Sequence, residues 1–432
     1  MQFKNIISDG ILHEKEEDDI SPIIENLKNR LEWLHNLSVD EILDFFGSLG
    51  KVWKSEKNKF GTNLKHVGDF LNKENLGKEL TIALRGNYHA LDEFVELYGD
   101  KKMLYHAQPR GLTVHWIAGN VDILGIFSVV QALVTKNVCL IKAPHNYNVL
   151  RDLLLSMKDV KTAKISGQEF IKCVALVYVE RTDETNQQIL SNSADVRIAW
   201  GGEEAITTIL SLKKRFFTED IMYGPKYSYA ILDSYSASTD ATNIAQKLAV
   251  DICVFDQYAC NSPHTILIES TEDDHENLIP KNFAKELANA MDVVNRLLLP
   301  KPIISEKKSM DILSLRAEYD FKGEVFCSHN TDWTVIYSNE NGLAEPCFSR
   351  VVFVRPIKNM MDVESLNNKK IQSIGLAITD VEKRKKLVDL MTMKGGDRCP
   401  NIGTMSLFGS PWDGMFGMDR LVRWITVYNN HS

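Results

Sequence analysis

From about residue 110 onward, short apolar runs alternate with stretches of helical periodicity, and this alternation limits the fold more than any other feature of the chain. "GLTVHWIAGN" is a short apolar run that ends at Gly119-Asn120. "ILGIFSVVQALVTKN" reads as a helix and "VCLIKAP" as a strand. "VALVYVE" and "ADVRIAWGG" are further strands, followed by "EEAITTILSLKKR" as a helix and "SYAILD" as a strand. Strands separated by helices pair in parallel through right-handed crossovers. Such sheets bind ligands at the carboxyl ends of their strands. A second pattern of the same kind follows, with helices at "ATNIAQKLAVDICVFD" and "KNFAKELANAMDVVNRLL" and strands at "HTILIES", "WTVIYS", "SRVVFVRPI" and "IQSIGLAIT". The expected class is therefore α/β with two lobes. The break is expected between Lys226 and Ser236, where no low-complexity linker intervenes.

At 432 residues the chain is too long for one hydrophobic core, which agrees with the two patterns. Residues 1 to about 100 read as mostly helical. Apolar residues there recur at three and four spacing, and Ser38 and Asp40 mark a helix start in "LSVDEILDFF". A net charge of −8 argues against generic nucleic-acid binding and against a polybasic membrane anchor. No apolar run is long enough for a membrane span. The opening "MQFKNIISDGILHEKEEDDI" turns acidic at once, unlike a signal peptide, so a cytoplasmic location is expected. The 7 cysteines form no C-x-x-C pair, and no ligand spacing suggests a metal; in a reducing compartment they are thiols.

One cysteine stands apart. Cys260 lies in "FDQYACNSPH", a polar and aromatic turn, whereas buried cysteines usually lie among aliphatic residues. A thiol there suits a nucleophile, once neighbouring amides or cations favour its thiolate. His115 and His264 are open as partners. Gly201-Gly202 end a strand and open a helix. They fit either a tight turn or the close approach of a phosphate to helix N-terminal amides, without forming a G-x-G-x-x-G fingerprint. Lys142 ends "VCLIK", where it is either solvated or within reach of a ribose or phosphate. Asn120 is either a turn residue or a donor to an oxyanion.

The series Asn120, Lys142, Gly201-Gly202, "MYGPKYSYAIL" and Cys260 resembles the aldehyde dehydrogenase superfamily, and most closely its LuxC-type acyl-CoA reductases. The resemblance runs from about residue 100 to the end, including the tail "GSPWDGMFGMDRLVRWITVY". It implies an aldehyde dehydrogenase-like fold of two Rossmann-type lobes. Residues 101–230 would form an NADP-binding domain and 231–405 a catalytic domain. Residues 406–432 would return to the cleft or to an oligomer interface, and residues 1–100 would be a helical region packed on the cofactor domain. The cysteine would lie in the cleft, Gly201 and Gly202 beside the cofactor phosphates, and Lys142 beside its ribose. Glu345 in "GLAEPCFSR" is similar to a second ribose-binding glutamate, although the family's following I-F-G-P is shifted here. Trp412, Asp413 and Gly414 either close the cleft or form a turn with a packed tryptophan.

Two departures from the superfamily pattern bear on chemistry. Its hydrolytic members carry a glutamate in E-L-G-G-K that activates water. The matching stretch here is "MYGPK", with Met222 in the glutamate's place and Glu219 on another strand face. Methionine takes no proton, so the acyl group is not expected to leave as a free acid. His145 stands three residues after Lys142, where NAD-using relatives have a carboxylate that repels a 2′-phosphate. The expected cofactor is therefore NADPH. The expected reaction is reduction of an acyl-CoA or acyl-carrier thioester to the aldehyde through an S-acyl Cys260, with Asn120 and the Cys260 amide facing the oxyanion. The alternatives are an NAD(P)-dependent aldehyde dehydrogenase of another substrate class and a non-redox cysteine acyltransferase. Homo-oligomerisation and an acyl-transferring partner enzyme are further expectations from the resemblance, with "RLVRWITVY" as a candidate interface segment.

Overall fold

The strands Leu112–Trp116, Val138–Lys142, Val174–Tyr178 and Val196–Trp200 are almost wholly apolar and buried on both faces, as a helix-covered parallel sheet requires. The structure is a computed structural model that describes residues 2–55, 63–117, 119, 125–270, 274 and 276–429. The chain divides into two compact units, Met1–Gly224 with Phe408–Ser432, and Pro225–Leu407.

The first unit holds a 7-stranded sheet. Its order is Ile11–Glu17, Phe3–Ser8, Val174–Tyr178, Val138–Lys142, Leu112–Trp116, Val196–Trp200 and Glu219–Tyr223. The last five are parallel. Counted in chain order they run 3-2-1-4-5, so the chain reverses direction between Leu112–Trp116 and Val196–Trp200. A crevice at the carboxyl ends is expected at that reversal. The helix Gly125–Val134 is buried at every residue, which explains its lack of a polar face. Earlier in the chain, Ser38 caps the helix Val39–Lys54 and Glu41 returns the bond to the Ser38 amide, a complete capping box. The strand Val422–Tyr428 pairs with Asp100–Pro109, which also pairs with Val95–Leu97.

The opening residues differ from the helical expectation. Phe3–Ser8 and Ile11–Glu17 form a hairpin whose first strand runs antiparallel to Val174–Tyr178 and extends the sheet. Asp9 and Gly10 both take positive φ, 50° and 71°, the conformation of a tight hairpin turn. Phe3, Ile6 and Ile7 are buried, and this apolar anchoring holds the hairpin in place.

The second unit holds a 6-stranded sheet, ordered Gly323–Cys327, Thr334–Ser338, Val351–Ile357, Pro263–Glu269, Tyr227–Leu232 and Ile371–Ala377. All neighbours are parallel except the first pair. The helix Leu278–Leu297 turns Phe283, Leu287, Met291 and Val294 inward at four-, four- and three-residue steps. The helix Ala241–Cys253 stops short of Phe255 and Asp256, through which the periodicity had suggested it would continue.

Candidate active site

At the carboxyl edge of the first sheet the strands emerge from the core: Lys142, Tyr178 and Trp200 are each the one partly exposed residue at the end of a buried strand. A cavity of about 570 Å³ opens there. Its polar lining includes Lys142, His145, Arg181 and Glu184, and Gly201-Gly202 form its turn. Trp116, Ile117, Trp200, Ile209 and Leu212 supply apolar walls. Four of the residues singled out in the sequence, Lys142, His145, Gly201 and Gly202, thus meet in one pocket.

Gly202 is the N-cap of the helix Glu203–Ser211, whose first amides lack intrahelical partners. A Cβ added to Gly202 would meet nothing within 4 Å, and its φ of −68° suits any residue. Neither packing nor backbone conformation demands glycine at this position. The open space lies beside a helix N-terminus, where a phosphate can approach the backbone. Glu204 in the first helical turn is paired with Arg181. Lys142 is largely buried, and desolvation lowers its pKa, partly opposed by nearby Glu180. Its ammonium lies 5.7 Å from the centre of the Tyr178 ring. The His145 ring lies 3.5 Å from the Tyr178 hydroxyl, which donates to Glu180. Trp116 donates to Gln187 at 2.8 Å, and Trp200 stacks on Tyr223 at 3.9 Å, so both indole walls are held in place. This combination of glycine turn, helix amides, a strand-end lysine and flat apolar walls fits a dinucleotide. Sequence reasoning did not single out Arg181, Trp116 or Trp200; each sits at or just beyond a strand's carboxyl end, which is the signal that finds them.

His115 belongs to the core. It is fully buried, within hydrogen-bonding distance of Thr113 and Ser128, and burial pushes its pKa down to about 3. Met222 is partly buried on Glu219–Tyr223, whereas Glu219 is engaged with Arg420 and Arg110. Trp412 is buried against Phe408 in a turn closed by paired amide bonds with Met415, which is the structural reading of that segment. Asn120 lies outside the described residues.

Cys260 lies in the second unit, at the amino end of Pro263–Glu269. A parallel sheet's carboxyl end is the usual ligand site, so this nucleophile candidate occupies the opposite edge. Its side chain is partly buried, whereas Cys139, Cys173 and Cys253 are fully buried and burial pushes each thiol up to about 12. The Cys260 carbonyl accepts a bond from Ser228 at 2.7 Å, and Asn261 donates to the Met405 carbonyl at 2.8 Å. His264 is buried edge-on to Phe348, with its pKa pushed down to about 4 by burial. Glu345 is exposed, on the loop leading to Phe348.

The approach to Cys260 is unusual. Phe255, Asp256 and Gln257 all take left-handed φ, 54°, 52° and 65°. Phe348, Ser349 and Arg350 do the same, at 57°, 57° and 64°. For residues with side chains this conformation costs roughly 1–2 kcal/mol each, and it survives only where the surroundings enforce it. The two runs clasp one another. The Ser349 amide donates to the Asp256 carbonyl at 2.9 Å, and the buried Arg350 guanidinium donates to the Asp256 carboxylate at 2.6 Å. Tyr258 stacks on Phe348 with rings 5.4 Å apart and nearly parallel.

Comparison with known proteins places the chain in a family. The chain is 28% identical over 425 residues to the long-chain acyl-protein thioester reductase of Aliivibrio fischeri, a match covering 93% of this chain and 84% of that protein. It is 26% identical to the enzyme of the same name from Photobacterium phosphoreum, covering 91% and 81%. Among solved structures it is similar to 3,6-anhydro-L-galactose dehydrogenase in complex with NAP, with a TM-score of 0.64, 13% identity and coverage of 99% and 96%. It is likewise similar to indole-3-acetaldehyde dehydrogenase complexed with NAD+, with a TM-score of 0.66, 11% identity and coverage of 99% and 93%. These likenesses establish the aldehyde dehydrogenase fold. The acyl-CoA reductase (LuxC) family model matches residues 34–424, nearly the whole chain, and the protein belongs to that family.

Proposed function

We propose that this acyl reductase accepts a long-chain acyl group from a thioester onto Cys260 and releases it as an aldehyde, with NADPH as reductant. The observation that carries the reading is the pocket at the strand reversal, where Gly201-Gly202, Lys142 and the tryptophan walls converge. A cysteine acyltransferase that takes its acyl group from a carrier protein would have no use for such a pocket. A thioester is the donor that matches the acyl-protein thioester reductases, and coenzyme A and a carrier protein offer the same acyl-sulfur bond.

The Cys260 thiolate forms a bond to the acyl carbon and the donor thiol leaves, so the acyl group is held as a new thioester. Asn120 and the Cys260 amide are the candidate donors to the oxyanion formed on the way; a donor of this kind is worth about 3–4 kcal/mol. NADPH, when bound, supplies the hydride. The resulting thiohemiacetal collapses by breaking its carbon–sulfur bond, which frees the aldehyde and restores Cys260. Met222 cannot activate water, so hydrolysis of the acyl-enzyme has no base at that position. NADPH is favoured over NADH by His145 and Arg181, which line the pocket with Lys142 and repel no 2′-phosphate.

The test is oxidation of reduced nicotinamide on addition of acyl-CoAs of graded length, with NADPH and NADH compared, in the native protein and in Cys260→Ala. Acyl-dependent oxidation should fall at least ~10³-fold in Cys260→Ala, while NADPH binding stays unchanged. Equal oxidation by the variant would end the covalent reading. Absence of binding by both NADPH and NADH would end the reductase reading, and binding of NADH alone would end the choice of NADPH.

A further inference from the structure

We propose that Arg350 is a positioning residue for Cys260: through Asp256 it holds the left-handed turn that presents the thiol. This rests on the reading of Cys260 as the nucleophile. Asp256 stands four residues before the cysteine, in a run whose backbone conformation its own side chains disfavour. What enforces that conformation comes from far along the chain. Arg350 is 94 residues from Asp256 and almost wholly buried.

Its Nε and Nη1 atoms both donate to fixed partners. Besides the Asp256 carboxylate the guanidinium donates to the Asn295 side chain at 2.9 Å and to the Leu299 carbonyl at 2.7 Å. Lys301 secures the second run by donating to the Ser349 carbonyl at 2.9 Å. The ring stack of Tyr258 on Phe348 continues the clasp to within two residues of Cys260. On the far side of the cysteine, Asn261 and Ser228 fix the chain. The thiol is thus mounted between two anchored points, one of which depends on a single planar cation. Guanidinium geometry matters here, because an ammonium is a point charge that cannot reproduce the same fork of bonds.

The experiment follows the rate at which iodoacetamide alkylates Cys260, read by mass spectrometry of its peptide across a range of pH, alongside kcat and KM with an acyl-CoA. The variants are Arg350→Met, Arg350→Lys and the double variant Asp256→Leu/Arg350→Met. The double variant removes both members of the ion pair together, so neither is left as the other's unpaired charge. Folding is checked by circular dichroism, and NADPH binding by fluorescence.

Misplacing a reacting group by about 1 Å costs on the order of 10²-fold in rate. Alkylation and kcat should therefore fall by roughly that factor in Arg350→Met and in the double variant, with KM changed little. Arg350→Lys should recover part of the loss. A folded double variant with native alkylation and native kcat would overturn the proposal, because the clasp would then serve stability alone. If neither methionine variant folds, Arg350→Lys decides: native alkylation and kcat overturn the proposal, and a fall in both supports it. Retention of acyl-dependent oxidation by Cys260→Ala would sink the nucleophile reading, yet the alkylation rates would still report whether the clasp governs this thiol.

Discussion

The two candidate centres use opposite edges of similar sheets and opposite means of construction. The glycine turn of the first unit's pocket sits at the carboxyl ends of its strands and is built from backbone: a glycine pair and the first amides of a helix. The Cys260 turn of the second unit sits at the amino end of its strand and is built from side chains, with three successive non-glycine residues held left-handed by a buried ion pair. A backbone-built site needs little support from elsewhere and tolerates change around it. A side-chain-built site concentrates its support in a few buried bonds and fails when one is cut.

This contrast can be broken by substitution. The largest effect is expected from Asp256→Ala, which strands the Arg350 cation in the interior. Chemical denaturation should show a loss of about 3–5 kcal/mol. A loss under about 1 kcal/mol would mean that the clasp is not what supports the turn. At the other centre, Gly202→Ala should leave stability within about 1 kcal/mol, the range expected for a changed N-cap. A methyl group on the phosphate path should nevertheless weaken NADPH binding about tenfold, or about 1.4 kcal/mol. Unchanged binding by titration would remove the phosphate from Gly202.

A third test concerns pH dependence. His115 and His264 have folded pKa values of about 3 and about 4, below the ordinary value of 6.5, so both stay neutral in the folded protein. The unfolded chain binds the extra protons first as pH falls. Stability supplied by each group is therefore complete above about pH 6.5 and is lost toward the folded values, by at most about 1.4 kcal/mol per pH unit per histidine. His264→Phe should flatten the acid limb of a stability–pH curve while leaving the His115 contribution in place. An unchanged slope would show that His264 is not protonated on unfolding in this range.

Which parts were legible in the sequence follows from the same contrast. The parallel sheets were read from apolar runs, and the 3-2-1-4-5 order puts the glycine pair at the reversal, because glycine and strand ends are local signals. The Asp9-Gly10 turn was equally local, but its flanking segments, "FKNIIS" and "ILHEKEE", show no alternation of apolar and polar residues, and the helical periodicity that follows drew the whole region toward helix. Cys260 was singled out by the polarity of its neighbours, and its role as nucleophile is a proposal. The conformation before it was not legible. Nothing in "VFDQ" announces left-handed backbone, and the helical pattern of the preceding residues suggests continuation. Asp256, just past the helix end, is bonded to Arg350, and no pattern local to either segment encodes a partner 94 residues away. Arg181 escaped notice for a simpler reason: an arginine beyond a strand looks like any solvated cation until the pocket beside it is seen.

The amino-terminal hairpin has a bearing on how this protein behaves in a crowded solution. Val174–Tyr178 is a run of apolar residues, and without the hairpin its hydrogen-bonding edge would lie open to any other extended chain. The hairpin occupies that edge and replaces it with Ile11–Glu17, an exposed strand whose second half, "HEKEE", carries charge at nearly every residue. Charged outer strands discourage the edge-to-edge pairing that leads to aggregates. An edge closed in this way, by an exposed strand rich in charge, is a poor template for a further chain.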